Sequence, residues 1–285
     1  MPGTVSFPDH IIFLFLCHEL FTNLKPAKVM FADTHAHIYS EEFIEDLNQM
    51  IERAHAEGIT NIYMPNIDST SIERMLTISN DHASCHAMIG LHPCYVKENY
   101  KTELKIMEQN LDAHSFCAVG EIGIDLYWDT TFVEEQKKAF GYQIAMSLEA
   151  GLPIVIHSRD SLDLTIQAVK DMQNGKLSGI FHCFNGTSEQ AQKIIDLGFY
   201  LGIGGVITYK NAGVDKIIAD LPLSSMVLET DAPYLTPVPH RGKRNECAYI
   251  KIIAQKLAEI KMCPIEEIAS ATTFNAKNIF GSHQI

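Results

Sequence analysis

Positive charge is scarce in this sequence. Only 22 Lys and Arg stand against 35 Asp and Glu in 285 residues, a net charge of −13. A protein that coats duplex DNA through a broad basic face needs clustered Lys and Arg, and this composition excludes that class. A small site that takes one strand end stays open, because bound cations reverse the charge locally. Long apolar runs are also missing. "IIFLFLC" at 11–17 is far short of the roughly 20 residues that span a bilayer. It follows Asp9 rather than a basic stretch, and no small-residue cleavage site succeeds it, which disfavours a secretory signal. Residues 1–29 therefore read as an N-terminal extension. It either packs on the main domain or precedes a translation start at Met30. No membrane partner is expected.

No two of the seven cysteines (17, 85, 94, 117, 183, 247 and 263) form a C-x-x-C pair, and their number is odd. This points to reduced thiols in a cytoplasmic protein rather than a disulfide framework. Cys183 stands out because it adjoins His182. No G-x-G-x-x-G follows the first strand-like run, which lowers the expectation of a doubly wound dinucleotide fold.

What is present is a regular alternation. Eight short apolar runs occur: "KVMFADTH" (28–35), "ITNIYMP" (59–65), "HAMIGLH" (86–92), "FCAVGEI" (116–122), "LPIVIHS" (152–158), "GIFHCF" (179–184), "FYLGIGG" (199–205) and "MVLETD" (226–231). Their near-continuous apolar character suits parallel strands covered on both faces. Helical periodicity lies between them. Residues 41–57 carry an apolar stripe ending at Gly58, and 133–150 carry another ending at Gly151. In 187–197 a Thr187–Gln190 capping box opens the helix, and 245–260 forms a fourth stripe. Eight β–α repeats over roughly 250 residues are the arithmetic of an α/β (β/α)8 TIM barrel, here one domain over 30–285.

In such a barrel the chemistry sits where strands end. Strand one ends in His35 and His37, strand three in His92, strand four in Glu121, strand five in His157, strand six in His182 and strand eight in Asp231. The His-x-His pair alone is weak, since thirteen histidines would give about 0.6 such pairs by chance. Each of the other residues also has a plain alternative as a hydrogen-bonded core group or a turn cap. Together they are harder to dismiss, because buried ionisable groups must be paired or bound to metal. Residues i and i+2 of a strand share a face, so His35 and His37 can reach one ion. Six ligands exceed what one open catalytic site uses and divide naturally into two sites sharing a carboxylate. A pair of ions roughly 3.5–4 Å apart is a familiar clamp for displacement at phosphorus. His82 and His86, four apart but without H-E-x-x-H context, read as surface or packing residues. His55 reads as a helix C-terminal residue that favours the dipole.

The stretches "DTHAH" (33–37), "GLHP" (90–93), "GEIGID" (120–125), "PIVIHSRD" (153–160), "HCFNG" (182–186) and "ETDAPYLTPVPHRGKRN" (229–245) together resemble the TatD family of metal-dependent DNases, among the amidohydrolase-like barrels. Ile124 stands where that family favours Leu, and Asn185 where it favours Ser. The resemblance implies a metal-dependent hydrolase with two divalent ions, Mg2+, Mn2+ or Zn2+. His35, His37, Glu121 and Asp231 would hold one ion, and Glu121, His157 and His182 the other, with Glu121 bridging. A glutamate where urease-type relatives use a modified lysine favours the nuclease branch.

The expected reaction is hydrolysis of a phosphodiester, as a 3′–5′ exonuclease on single-stranded DNA. Asp231 and Glu121 are the catalytic residues, and Asp231 orients water and takes its proton. His92, Arg159 and Arg241 are the candidate substrate contacts. Lys243 and Arg244 are balanced between a phosphate grip and a solvated turn. Tyr127 and Trp128 are balanced between base stacking and an aromatic lid. The competing expectations are an ester or amide hydrolase using the same metals, such as a D-aminoacyl-tRNA deacylase with tRNA as partner, and a non-catalytic scaffold.

Overall fold

Eight strands form from the eight apolar runs, and every pairing between them is parallel. In the computed structural model, which describes residues 29–281, they are β1 (Phe31–Asp33), β2 (Ile59–Met64), β3 (Cys85–Ala87), β4 (Val119–Asp125), β5 (Ile154–Arg159), β6 (Gly179–Phe181), β7 (Phe199–Ile203) and β8 (Met226–Leu228). The stretch 1–28, with "IIFLFLC" and Cys17, lies outside the described residues. Hydrogen-bonded order is β1-β2-β3 and β4-β5-β6-β7-β8. Two seams join these sheets. At one, Ile89 bridges Val119, and the Gly120 N–H donates to the Ile89 carbonyl at 2.9 Å. At the other, Ala36 bridges Ala232, the Thr34 N–H donates to Leu228 O at 3.0 Å, and the Asp231 N–H donates to His35 O at 2.8 Å. The ring thus runs through all eight strands in sequence order, as expected of a TIM barrel.

The helices follow their strands: α1 (Leu47–Ala56), α2 (Ile72–Asp81), α3 (Tyr100–Ala113), α4 (Val133–Ala150), α5 (Leu162–Met172), α6 (Ser188–Asp196), α7 (Val214–Ala219), α8 (Ile250–Lys261) and α9 (Ile265–Phe280). α4 ends on Gly151 in the left-handed conformation at φ 68°, and Thr187 and Gln190 make the reciprocal capping box of α6. The expected helix over 41–57 is interrupted. Residues Glu41–Phe43 form a 3₁₀ turn, and the α-helix begins only at Leu47. The segment 245–260 likewise starts with a 3₁₀ turn, at Cys247–Tyr249.

One buried layer inside the ring takes a side chain from each strand or its immediate flank: Ala32, Tyr63, Met88, Ala118, Val155, Ile180 and Val227, with Tyr200 packed against them. Ala276, Ile279 and Phe280 of α9 complete the layer, and the Phe280 ring stacks on Tyr63 with centroids 4.0 Å apart. This apolar floor seals the N-terminal end of the barrel. Side chains alternate along a strand, so the residues two further on point the same way. Val155, Ile180 and Val227 therefore place His157, His182 and Glu229 above the floor, facing the interior of the mouth.

Candidate metal centre

The polar strand ends converge on Glu121, which is 2% exposed. Its Oε2 lies 3.1 Å from His35 Nε2 and 3.6 Å from His37 Nε2. Asp231 Oδ1 closes this group, 3.7 Å from His35 Nε2 and 3.5 Å from His37 Nε2. The other carboxylate oxygen, Oε1, lies 2.9 Å from His157 Nδ1, 3.4 Å from His92 Nε2 and 3.8 Å from His182 Nε2. The six side chains expected as ligands meet around one carboxylate, with one oxygen toward each half of the set.

The far ring nitrogens define which atoms face the centre. His157 Nε2 sits 2.8 Å from Asp125 Oδ2. Its Nδ1 lies 2.9 Å from Glu121 Oε1, so a cation in the centre would take the Nδ1 lone pair while Nε2 keeps its proton for the Asp125 carboxylate, which only accepts. His182 Nδ1 lies 3.0 Å from Glu229 Oε1, and its Nε2 faces the centre, 3.8 Å from Glu121 Oε1. The Tyr39 hydroxyl donates to Pro65 O at 2.6 Å, so its oxygen accepts from His37 Nδ1 at 2.9 Å and leaves His37 Nε2 bare. His92 is built the other way. Its Nδ1 accepts the Cys94 backbone N–H at 3.1 Å, so the neutral ring carries its proton on Nε2 and presents a donor to the centre.

Ring nitrogens and carboxylate oxygens are thus packed against each other; the Nε2 atoms of His35 and His37 are 3.2 Å apart. No lysine or arginine pairs with Glu121 or Asp231 among the described residues. Convergent lone pairs of imidazole and carboxylate are the donor set of Zn2+, Mn2+ or Fe2+ sites, and a divalent cation fits here. The buried groups titrate accordingly. Burial pushes the Glu121 carboxyl up, but His92, His35, His157 and His182 outweigh it and hold it well below its ordinary value. Asp231 is lowered in the same way, with burial overcome by His182, His37 and His35. Burial lowers His35. For His182 the carboxylates of Glu229, Asp231 and Glu121 overcome burial and raise it to about 10.

Two glycines make the approach possible. Gly123, at φ 148°, runs beside β5, and a Cβ there would collide with the His157 carbonyl oxygen. At Gly202 a Cβ would collide with the Glu229 carboxylate. Glu229 itself is fully buried and also accepts the Cys183 N–H at 2.6 Å.

The centre lies in a pocket of about 800 Å³ whose walls include Tyr95, Trp128, Arg159, Asn185, Tyr234 and Leu235. Arg159 reaches this wall, with its guanidinium 3.9 Å from the Tyr127 ring centroid. The cation–π contact with Tyr127, rather than a pairing with Asp160, holds it there. Arg241 does not line the pocket; it stacks over Tyr209 at 4.1 Å and donates to that hydroxyl. Arg244 is tied to the fold instead, chelating Asp46 at 2.6 and 2.8 Å and lying over Phe43. His86 is buried against Asn61, as a packing residue would be. Sequence reasoning missed Asp125, Glu229 and Tyr39. The first two obey the rule that exposed the candidate ligands, an ionisable residue in an apolar strand. Tyr39 gives no such signal.

Residues 32–281 match the family described as TatD related DNase. An uncharacterized metal-dependent hydrolase of Bacillus subtilis, YabD, is 40% identical over 253 residues, covering 88% of this chain and 99% of the relative. A protein of Erwinia amylovora named 3′-5′ ssDNA/RNA exonuclease TatD is 26% identical over 256 residues, covering 87% and 99%. Among solved structures, the TatD homologue YjjV of Escherichia coli superposes with a TM-score of 0.84 at 31% identity, covering 88% of this chain and 97% of that one.

Proposed function

The chain belongs to the TatD-related DNase family, and from that premise we propose that this metal-dependent hydrolase removes nucleotides from the 3′ end of single-stranded DNA. The observation that carries the reading is the bridging posture of Glu121, with Oε2 toward His35 and His37 and Oε1 toward His157 and His182. It supports two divalent ions, one held by His35, His37, Glu121 and Asp231, the other by Glu121, His157 and His182. Bound there, such ions supply Lewis-acid charge for phosphoryl oxygens and make a water easier to deprotonate. The exonuclease name of the Erwinia relative supports DNA as the substrate.

The side chains divide the remaining work. Asp231 Oδ1, at the edge of the cluster, orients the attacking water and accepts its proton. The His92 Nε2–H is aimed into the centre and donates a hydrogen bond to the leaving 3′ oxygen. Arg159 is the sole lysine or arginine of the pocket wall among the described residues, and its guanidinium faces a non-bridging phosphoryl oxygen. A pocket of about 800 Å³ suits a strand end rather than the face of a duplex, which reconciles a nuclease with a net charge of −13.

The test is a substrate panel. Single-stranded DNA labelled at its 5′ end, a D-aminoacyl-tRNA and small amides are each incubated with Mg2+, Mn2+, Zn2+ or EDTA. A ladder shortening from the 3′ end, abolished by EDTA, is expected. D231N should fold and lose about 10²- to 10⁴-fold in kcat, the span of a general base. Intact DNA beside consumed aminoacyl-tRNA would overturn the reading, as would near-wild-type turnover of D231N.

A further inference from the structure

Trp128 is the single tryptophan of the chain, and the fold leaves 68% of it exposed. The turn that bears it does not depend on burying it. Asp125 Oδ1 accepts the backbone N–H of Tyr127 at 2.9 Å and of Trp128 at 3.0 Å, which fixes the turn from below. The same carboxylate holds His157 through Oδ2. One buried side chain therefore sets both the metal centre and the aromatic turn, at a constant offset from each other.

The two aromatics differ in what their faces meet. The Arg159 guanidinium covers the Tyr127 ring at 3.9 Å, while it stands 5.4 Å from the centroid of Trp128. Tyr127 meets Trp128 edge-on, with planes at 87° and centroids 5.0 Å apart. Tyr127 thus meets the indole at right angles and the Arg159 guanidinium lies over the ring at 5.4 Å, while the 68% exposure of Trp128 leaves the remaining ring surface open to solvent. Trp128 lines the pocket, whereas Tyr127 does not. A rigid indole face beside a guanidinium, above a phosphodiester-hydrolysing centre, has the chemistry that accepts a planar nucleobase whose phosphate the arginine holds.

We infer that Trp128 is a stacking platform for a nucleobase flanking the phosphate that is cut, braced by Tyr127 and Arg159. This deepens, and rests on, the reading of the site as a nuclease. Stacking uses the π-face that all bases share, so the platform selects for the presence of an unpaired base and not for its identity. The function is specificity: Trp128 grips substrate in the ground state and takes no proton, so its contribution appears in KM rather than kcat.

The experiment uses the full-length, metal-loaded protein and single-stranded oligonucleotides. The two nucleotides flanking the terminal phosphodiester carry 2-aminopurine, an ordinary base or an abasic tetrahydrofuran. In stopped flow, 2-aminopurine fluorescence should be quenched before the strand is cut, W128A should lose the quench, and W128F should keep part of it. The wild type should prefer base-bearing to abasic DNA by about 5- to 150-fold in kcat/KM, through KM, as one stacked base allows. In W128A this ratio should fall toward one. An unaltered quench or ratio in W128A overturns the platform. DNA cut without quench and without base preference also overturns it while leaving the nuclease standing. Quench in a protein that cuts no DNA keeps the platform and overturns the phosphodiesterase reading.

Discussion

Asp125→Asn changes one atom of a buried side chain and almost none of its shape. Oδ1 of Asp125 accepts two backbone N–H groups, and an amide nitrogen cannot replace it there. The amide oxygen of the substituted side chain must therefore keep that position, which points its NH2 at His157 Nε2, 2.8 Å away in the native pair. Two donors cannot share that contact. The imidazole answers by moving its proton to Nδ1, and an N–H then faces Glu121 Oε1 in place of a lone pair. No ligand residue has been removed, yet the second half of the centre loses a donor. Supporting contacts of this kind are worth about 10- to 100-fold in metal affinity or activity, or ~1.4–2.7 kcal/mol. The charge-assisted bond itself contributes about 1.5–3 kcal/mol to folding, so the variant should remain folded. Competition with a chelator gives the affinity, atomic spectrometry the stoichiometry, and 15N NMR of the imidazoles the tautomer. Wild-type metal affinity with His157 still protonated on Nε2 would refute the reasoning.

Two further predictions concern parts of the molecule away from the centre. Burial lowers His86 to about 4, so the native state keeps it neutral while the unfolded chain takes up a proton below about 6.5. Its stability contribution is present above pH 6.5 and is lost as the pH falls toward 4, up to about 3 kcal/mol. Urea midpoints from pH 7 to 4.5 should fall less steeply in H86Q, and parallel slopes would reject the assignment. Arg244→Ala should cost about 1 kcal/mol by removing a partly exposed, bidentate pair with Asp46. Its KM for DNA should not change; a several-fold rise in KM at unchanged stability would return Arg244 to the substrate.

Strand positions and the convergence of the candidate ligands were legible because both obey short-range rules. Continuous apolar runs mark parallel strands, and an ionisable residue ending such a run needs a partner. Glu121 and His157 are found that way although they stand 36 positions apart. The supporting carboxylates Asp125 and Glu229 also sit in apolar strand runs, but which imidazole each one holds follows no sequence spacing. The basic stretch "PHRGKRN" shows the opposite failure. Its charge left Arg244 balanced between phosphate and a solvated turn and favoured Arg241 as a substrate contact, but Arg244 is paired with Asp46 from 198 residues earlier and Arg241 lies over the ring of Tyr209. Sequence distance conceals both partners. The stripe over 41–57 misled in a smaller way. Its periodicity is real, yet Asp46 is held by Arg244 and Arg53, and the chain turns there before the helix begins.

The seal made by Phe280 and Tyr63 governs traffic. A barrel shut at one end is a cul-de-sac, so whatever enters past Trp128 must leave by the same route. A strand of the kind proposed as substrate could not be threaded through the protein and fed continuously. For the exonuclease proposed above, the detached fragment would have to back out before the shortened polymer advances, and on long substrates the rate of that exchange would set how far one encounter proceeds.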